Sequence, residues 1–367
     1  MTRIAILLHW LRPGGAERVM LNLSHGLLDR GFDVDLLLVR AEGDFISARD
    51  PRTRLVNLEA ARALDALPAL RRYLGREQPA VILSNLPHLN LLALFGRGFF
   101  SRQPRLVLVH HSDLGIASAH GVRRWEQYYP LVLRFLNPFA DRFVAVSTGV
   151  ADALVKKAGV PRKKITVIYN PVALPEIQRL ASAPLEHPWF DPGEPPVILA
   201  AGRLTAAKDY PTLLRAFALL CSRRVARLTI LGDGELRAEL EALASGLGIA
   251  ADVKFAGYQA NPYAFMRHAA LLALSSAWEG FGNVLVEALA CGTQVVSTDC
   301  HSGPAEILDG GKYGRLVPVG DDHALAEAIE NALDHPLPPE ALRERAKAFS
   351  VEAALERYLP LLTGEKA

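Results

Sequence analysis

Strand-length apolar runs recur along the chain, at 4–8, 33–39, 55–58, 80–84, 106–110, 143–146 and 165–169. Between them apolar residues return every three or four positions, as Val19, Met20, Leu23 and Leu27 do before the stop at Gly31, which is the helical period. Strands separated by helices predict parallel sheets covered on both faces. The alternation lapses over 173–195, where Pro175, Pro184, Pro188, Pro192 and Pro195 accumulate and the composition is that of a linker. It resumes with runs at 197–201, 228–231, 252–255, 271–275, 294–298 and 315–317. From residue 323 the pattern is helical, and Ser350 suits the N-cap of a last helix. The chain therefore divides into 1–172, a linker at 173–195, and 196–349, with a closing helical stretch at 350–367.

The second series carries the most informative stretch, 271–299. The run to Ser275 reads as a buried strand, and 283–291 reads as a helix with Asn283 near its N-cap and Gly292 as its stop. The loop between them is Trp278-Glu279-Gly280-Phe281-Gly282. Backbone N–H groups at a helix start attract anions, and paired glycines let the main chain approach a ligand. Glu279 lies before this start and Glu287 about one turn inside it, among Val284, Leu285, Val286, Ala288 and Leu289. A carboxylate among apolar neighbours is costly without partners. Amides for a diphosphate, with a carboxylate on either side for hydroxyls, suit a nucleotide diphosphate. Arg203 and Lys208 follow the run at 197–201, ahead of a helix opened by Pro211. Arginine offers phosphate a planar fork and lysine a mobile point charge.

The block W-E-G-F-x-N-V-L-x-E-A-L-A-C-G-T-x-V-V, with seven residues between Glu279 and Glu287, resembles the signature of retaining GT-B glycosyltransferases of family 4. The resemblance spans nearly the whole chain and is tightest from 203 to 299. It implies an α/β architecture of two Rossmann-like domains whose parallel sheets face across a cleft. The N-terminal domain would take the acceptor, the C-terminal domain the nucleotide-sugar donor, and the last helix would pack back onto the first domain. It implies transfer of a sugar, with retention, from a nucleotide-diphosphate donor to a glycan or lipid-linked hydroxyl. By resemblance Arg203 and Lys208 in G-R-L-x-x-x-K meet the diphosphate, together with amides from Gly282, Asn283, Val284 and Leu285. Glu287 grips the ribose, Glu279 orients the sugar, and Gly280 and Phe281 complete the loop. Gly257 and Tyr258 lie near the base, Gly14 and Gly15 face donor phosphates and acceptor, and His111, rather than His110, contacts the sugar. UDP-sugars, N-acetylhexosamines above all, are the expected donors, with GDP-mannose open. No cofactor or metal is expected, since no D-x-D pair stands at a strand end in a position that asks for a divalent ion. Two alternatives share the shape: an NAD-independent nucleotide-sugar epimerase and a non-catalytic sugar-nucleotide binding module. The sequence Pro13-Gly14-Gly15-Ala16-Glu17 lacks the G-x-G-x-x-G of a dinucleotide site, which disfavours a dehydrogenase.

Composition adds bounds. The 367 residues are half hydrophobic and carry a net charge of +2, which gives no field of the kind that announces nucleic acid. Cys221, Cys291 and Cys300 form no C-x-x-C pair and point to a reducing cytoplasm. The apolar run at 4–11 is interrupted by His9 and has no cleavage site, so it reads as a strand rather than a signal peptide. The uncharged stretch at 79–96 contains Asn85, Pro87, His88 and Asn90, which would be costly in hydrocarbon. At 122–136, Arg123, Arg124 and Arg134 mix with Trp125, Tyr128, Tyr129 and Phe135. Such a segment suits either an ordinary half-buried helix or one lying on anionic lipid at the inner face of the cell membrane.

Overall fold

The structure, a computed structural model, describes residues 2–98, 103–112, 114 and 126–364. It divides into two units, Met1–Val172 with Val351–Ala367, and Ala173–Ser350. The first unit runs β1 (Arg3–Leu8), α1 (Gly15–Asp29), β2 (Asp33–Leu38), β3 (Arg54–Asn57), α2 (Leu67–Glu77), β4 (Val81–Asn85), α3 (Pro87–Arg97), β5 (Arg105–His110), α4 (Tyr129–Leu136), β6 (Arg142–Ala145), α5 (Thr148–Ala158) and β7 (Ile165–Val167). Its seven strands are all parallel, in the order β3-β2-β1-β4-β5-β6-β7. Parallel strands buried on both faces must be continuously apolar, and Ile4, Ala5, Ile6 and Leu7 of β1 are fully buried. That is why the strands fall within a residue or two of the apolar runs.

The second unit runs α6 (Leu174–Ala181), β8 (Val197–Ala201), α7 (Tyr210–Cys221), β9 (Arg227–Leu231), α8 (Arg237–Gly246), β10 (Val253–Gly257), α9 (Pro262–His268), β11 (Leu271–Leu274), α10 (Asn283–Cys291), β12 (Gln294–Thr298), α11 (Pro304–Ile307), β13 (Arg315–Val317), α12 (Asp322–Asp334) and α13 (Pro339–Ala346). Its six strands are parallel, in the order β10-β9-β8-β11-β12-β13. The stretch read as a linker is partly helical: α6 buries Ile177 and Ala181 and packs against α9 and α10. Asn261 Nδ2 donates to Leu180 O at 2.8 Å. Its prolines sit at the helix start or beyond its end, where they are tolerated.

The last helix, α14 (Val351–Thr363), belongs to the first unit and packs against α1. A Cβ on Gly26 would stand 2.6 Å from both Leu355 Cδ1 and Val351 Cγ1, so the missing side chain is what lets the two helices approach. Among the described residues no helix is long and apolar enough to cross a membrane.

One buried group gives the first unit a pH dependence. His110 is 3% exposed, with Nε2 2.9 Å from the Tyr129 hydroxyl. Burial pushes its pKa down to about 3 from the ordinary 6.5. The unfolded chain therefore takes up this proton first, so the stability it contributes is complete above pH 6.5 and declines as pH falls toward 3. The unfolding midpoint is expected to drop on acidification from about pH 7 to about pH 4, and His110→Gln to flatten part of that drop. Equal slopes in wild type and variant would contradict this account.

Candidate active site in the second unit

The β8–α7 loop begins at Gly202, whose φ of +157° lies in a region side chains avoid. Lys208 folds back over it, and a Cβ there would lie 3.1 Å from Lys208 Cε. Tyr210 donates its hydroxyl to Gly202 O at 3.1 Å, and Pro211 occupies the first turn of α7. The neighbouring strand, β11, ends beside this loop and is joined to it: Ser275 Oγ donates to Lys208 O at 2.8 Å, and Ala277 N–H to Ala207 O at 2.9 Å.

That seam sets a charge pair. Lys208 Nζ and Ser276 Oγ both donate to Glu279 Oε1, at 2.5 and 2.7 Å. The Lys208 and Glu279 side chains are 20% and 13% exposed, enough shielding for charge-assisted bonds to hold their geometry. Thr298 of β12 fixes Ser276 in turn, its Oγ1 donating to Ser276 O at 2.6 Å. Burial first, and the Glu279 charge second, push the Cys300 thiol up to about 12. Arg203 is exposed on the same loop as Lys208, and its guanidinium has no hydrogen bond or ion pair among the described residues.

Gly282, at φ +95°, is the N-cap of α10, so Asn283 is the first helical residue and not the cap. Gly282 itself brings no side-chain cap to this end. The Leu285 N–H bonds to Gly282 O at 3.0 Å, which removes it from the amides expected to meet a ligand. Phe281 is turned inward, 2% exposed and edge-on to Phe349 at 5.7 Å, so the loop offers its main chain there and not its ring. Gly303 secures that main chain, because a Cβ on it would overlap Phe281 O. Glu287 is half-buried on α10, one turn before Cys291. Burial first, and the Glu287 charge second, raise the Cys291 thiol to about 12.

Three adjacent strand ends lock through glycines. The Gly232 N–H donates to Gly257 O at 2.8 Å, and a Cβ on Gly232 would overlap Gly202 O. Tyr258 follows Gly257 and is 61% exposed, which removes the packing explanation for it.

The structure thus joins Lys208 to Glu279 directly, places Arg203 on the same loop, and sets Glu287 further along the helix that follows Glu279. Gly14, Gly15 and His111 belong to the first unit. Gly14 is the extended N-cap of α1, and the Glu17 carboxylate lies close over its Cα. His111 follows β5 directly, with a side-chain hydrogen bond to Asn170, a buried Nε2 that has no hydrogen-bond partner, and a pKa pushed down by burial to about 4. It is therefore a neutral imidazole at neutral pH. Sequence reasoning missed Ser275, Ser276, Tyr210 and Thr298, the groups that hold the pair in place. The only hint was a strand ending in hydroxyls instead of aliphatics. A cavity of about 460 Å³ beside β13 is lined by Gly310, Gly311, Arg315 and Asn331, and by none of these residues.

Two family models cover most of the chain: Glycosyl transferases group 1 matches 186–349, and Glycosyltransferase Family 4 matches 13–175. Among curated relatives, the N-acetylgalactosamine-N,N'-diacetylbacillosaminyl-diphospho-undecaprenol 4-alpha-N-acetylgalactosaminyltransferase of Campylobacter jejuni is 31% identical over 95% of this chain and 94% of its own. The lipopolysaccharide core biosynthesis glycosyltransferase LpsE of Rhizobium meliloti is 30% identical over 97% and 98%. Among solved structures, the lipopolysaccharide outer core galactosyltransferase WaaB aligns over the whole of both chains with a TM-score of 0.76 at 19% identity. Anabaena HepE aligns over 99% of this chain and 100% of its own, with a TM-score of 0.79 at 22% identity. The architecture is the GT-B fold of two Rossmann-like domains with parallel sheets.

Proposed function

The chain belongs to the glycosyl transferases group 1, and from that premise we propose that it transfers a sugar from a UDP-sugar to a hydroxyl of a lipid-linked or cell-surface glycan, with retention of anomeric configuration. The observation that carries the reading is the Lys208–Glu279 pair on two seamed loops, with exposed Arg203 on one of them. The chemical task is to stabilise negative charge growing on a departing diphosphate. Cations fixed before reaction do this without reorganising during it. Arg203 and Lys208 take that role, and the N-terminal end of α10 adds its dipole. Glu287 accepts from the ribose hydroxyls, and Tyr258 lies against the base. Glu279 receives donors from Lys208 and Ser276, so it orients the sugar as an acceptor and does not protonate a leaving group. The names of the Campylobacter and Rhizobium relatives favour a bacterial glycan acceptor, and the first of them favours an N-acetylhexosamine donor.

The donor site is tested by thermal shift. A ligand that binds only the folded state at about a hundred times its Kd adds about 2.7 kcal/mol. UDP and UDP-N-acetylhexosamines are expected to raise the midpoint by several degrees, with the same shift in EDTA, and GDP or ADP sugars to raise it little. No shift with any nucleotide would remove the donor site, and a larger shift with GDP-mannose would reassign the base. Conversion of donor alone to an isomer would replace transfer with epimerisation.

A further inference from the structure

Two histidines stand in succession at the end of β5, and neighbours on an extended chain face opposite ways. His110 turns into the core, where its Nε2 lies 2.9 Å from the Tyr129 hydroxyl and its ring 5.9 Å from that of Phe143. Tyr129 belongs to the stretch 122–136, of which residues 122–125 lie outside the described residues. His111 meets Asn170 instead. Asn170 is 6% exposed, and its place is fixed from two sides. The ends of β5, β6 and β7 stay joined to their last residues: the Val146 N–H donates to His110 O at 3.3 Å, and the Ile168 N–H to Ala145 O at 2.9 Å. Just beyond, Asn22 Nδ2 of α1 donates to Pro171 O at 3.0 Å. All of these groups belong to the first unit, which the chain leaves after Val172.

A neutral imidazole has one N–H and one lone pair, and the hydrogen bond made by one ring nitrogen decides the role of the other. The bond between His111 and Asn170 favours the protonated ring, so the imidazole donates and the Asn170 amide oxygen accepts. Nε2 is the nitrogen without a hydrogen-bond partner, which makes Nδ1–H the donor. The lone pair therefore sits on Nε2. A buried acceptor left without a partner is costly, and this one is shielded from water although the ring as a whole is half-buried. A hydroxyl brought by a ligand would satisfy it.

We propose that Asn170 is a positioning residue, which holds His111 with its proton on Nδ1 so that Nε2 accepts a hydrogen bond from a hydroxyl of the sugar being transferred. The owner of that hydroxyl rests on the sugar-transfer reading, whereas the tautomer does not. Nitrogen-15 spectra of histidine-labelled protein near neutral pH separate protonated from unprotonated ring nitrogens. The chain has 11 histidines, so His111 is identified by the signals that vanish in His111→Ala. Its proton is expected on Nδ1 in the wild type, a result read without any substitution, and Asn170→Leu is expected to give a mixture of both tautomers. With a UDP-sugar, Asn170→Leu is expected to lower kcat/KM roughly tenfold, the size of one lost hydrogen bond. In a His111→Ala background the same substitution is expected to lower it no further, because both changes remove one interaction. Circular dichroism melting shows whether each variant is folded. A wild-type His111 protonated on Nε2, a tautomer unmoved in folded Asn170→Leu, or losses that multiply in the double variant would overturn the proposal. A wild type that transfers no sugar, yet shows the Nδ1–H tautomer and its loss in Asn170→Leu, would defeat the sugar-transfer reading and support the positioning.

Discussion

Arg203→Ala is expected to lower turnover at saturating donor by about 10²–10³-fold, the size of loss seen when one preorganised donor to a growing oxyanion is removed. Its melting temperature is expected to stay at the wild-type value. The guanidinium is exposed and holds no partner among the described residues, and truncating such a side chain changes stability by no more than about 0.5 kcal/mol. That combination identifies a residue present for the reaction and not for the fold. Because the interaction strengthens as charge develops, the loss belongs in kcat more than in KM. Steady-state kinetics with a UDP-sugar, alongside a melting curve, decide it. Wild-type turnover, or a melting loss that accounts for the defect, would refute the assignment.

Lys208 behaves differently because it is tied to Glu279. Lys208→Ala leaves a mostly shielded carboxylate that keeps the hydrogen bond from Ser276 but loses its counter-charge. Breaking a buried pair from one side costs about 3–5 kcal/mol, and the partial exposure here brings the expected loss to roughly 1–3 kcal/mol. Lys208→Ala/Glu279→Gln removes the stranded charge and is expected to recover most of that stability. Turnover is expected to fall in both variants, since the diphosphate cation is missing from each. A coupling energy distinguishes this from independent damage. Additive melting losses would show that the pair is not an energetic unit, and restored turnover in the double variant would show that Lys208 has no chemical role.

The strands were legible because sheets buried on both faces demand unbroken apolar runs, as in β1 and β8, and because α7 and α9 open with prolines where prolines belong. Glu287 was legible as a charge set among apolar residues, and Glu279 by its place on the loop before the helix start. What held Glu279 was not, because Lys208 is 71 positions away in sequence and only the adjacency of β8 and β11 brings the two together. Nor could the sequence say that Phe281 turns toward Phe349, since an aromatic on a loop fits either direction. The helix in the supposed linker was hidden by flanking prolines and by having only two buried apolar residues to declare its period.

The placement of α14 bears on synthesis. The first unit receives α14 only after the whole of the second unit has intervened in the chain, whereas the second is an uninterrupted insert. On the ribosome the inserted unit has all its parts before the outer one does. Until translation passes residue 363, the α1 surface around Gly26 awaits Val351 and Leu355. A nascent chain stalled before residue 351 would therefore display an apolar groove on an otherwise assembled sheet, which is the kind of surface that chaperones and proteases recognise.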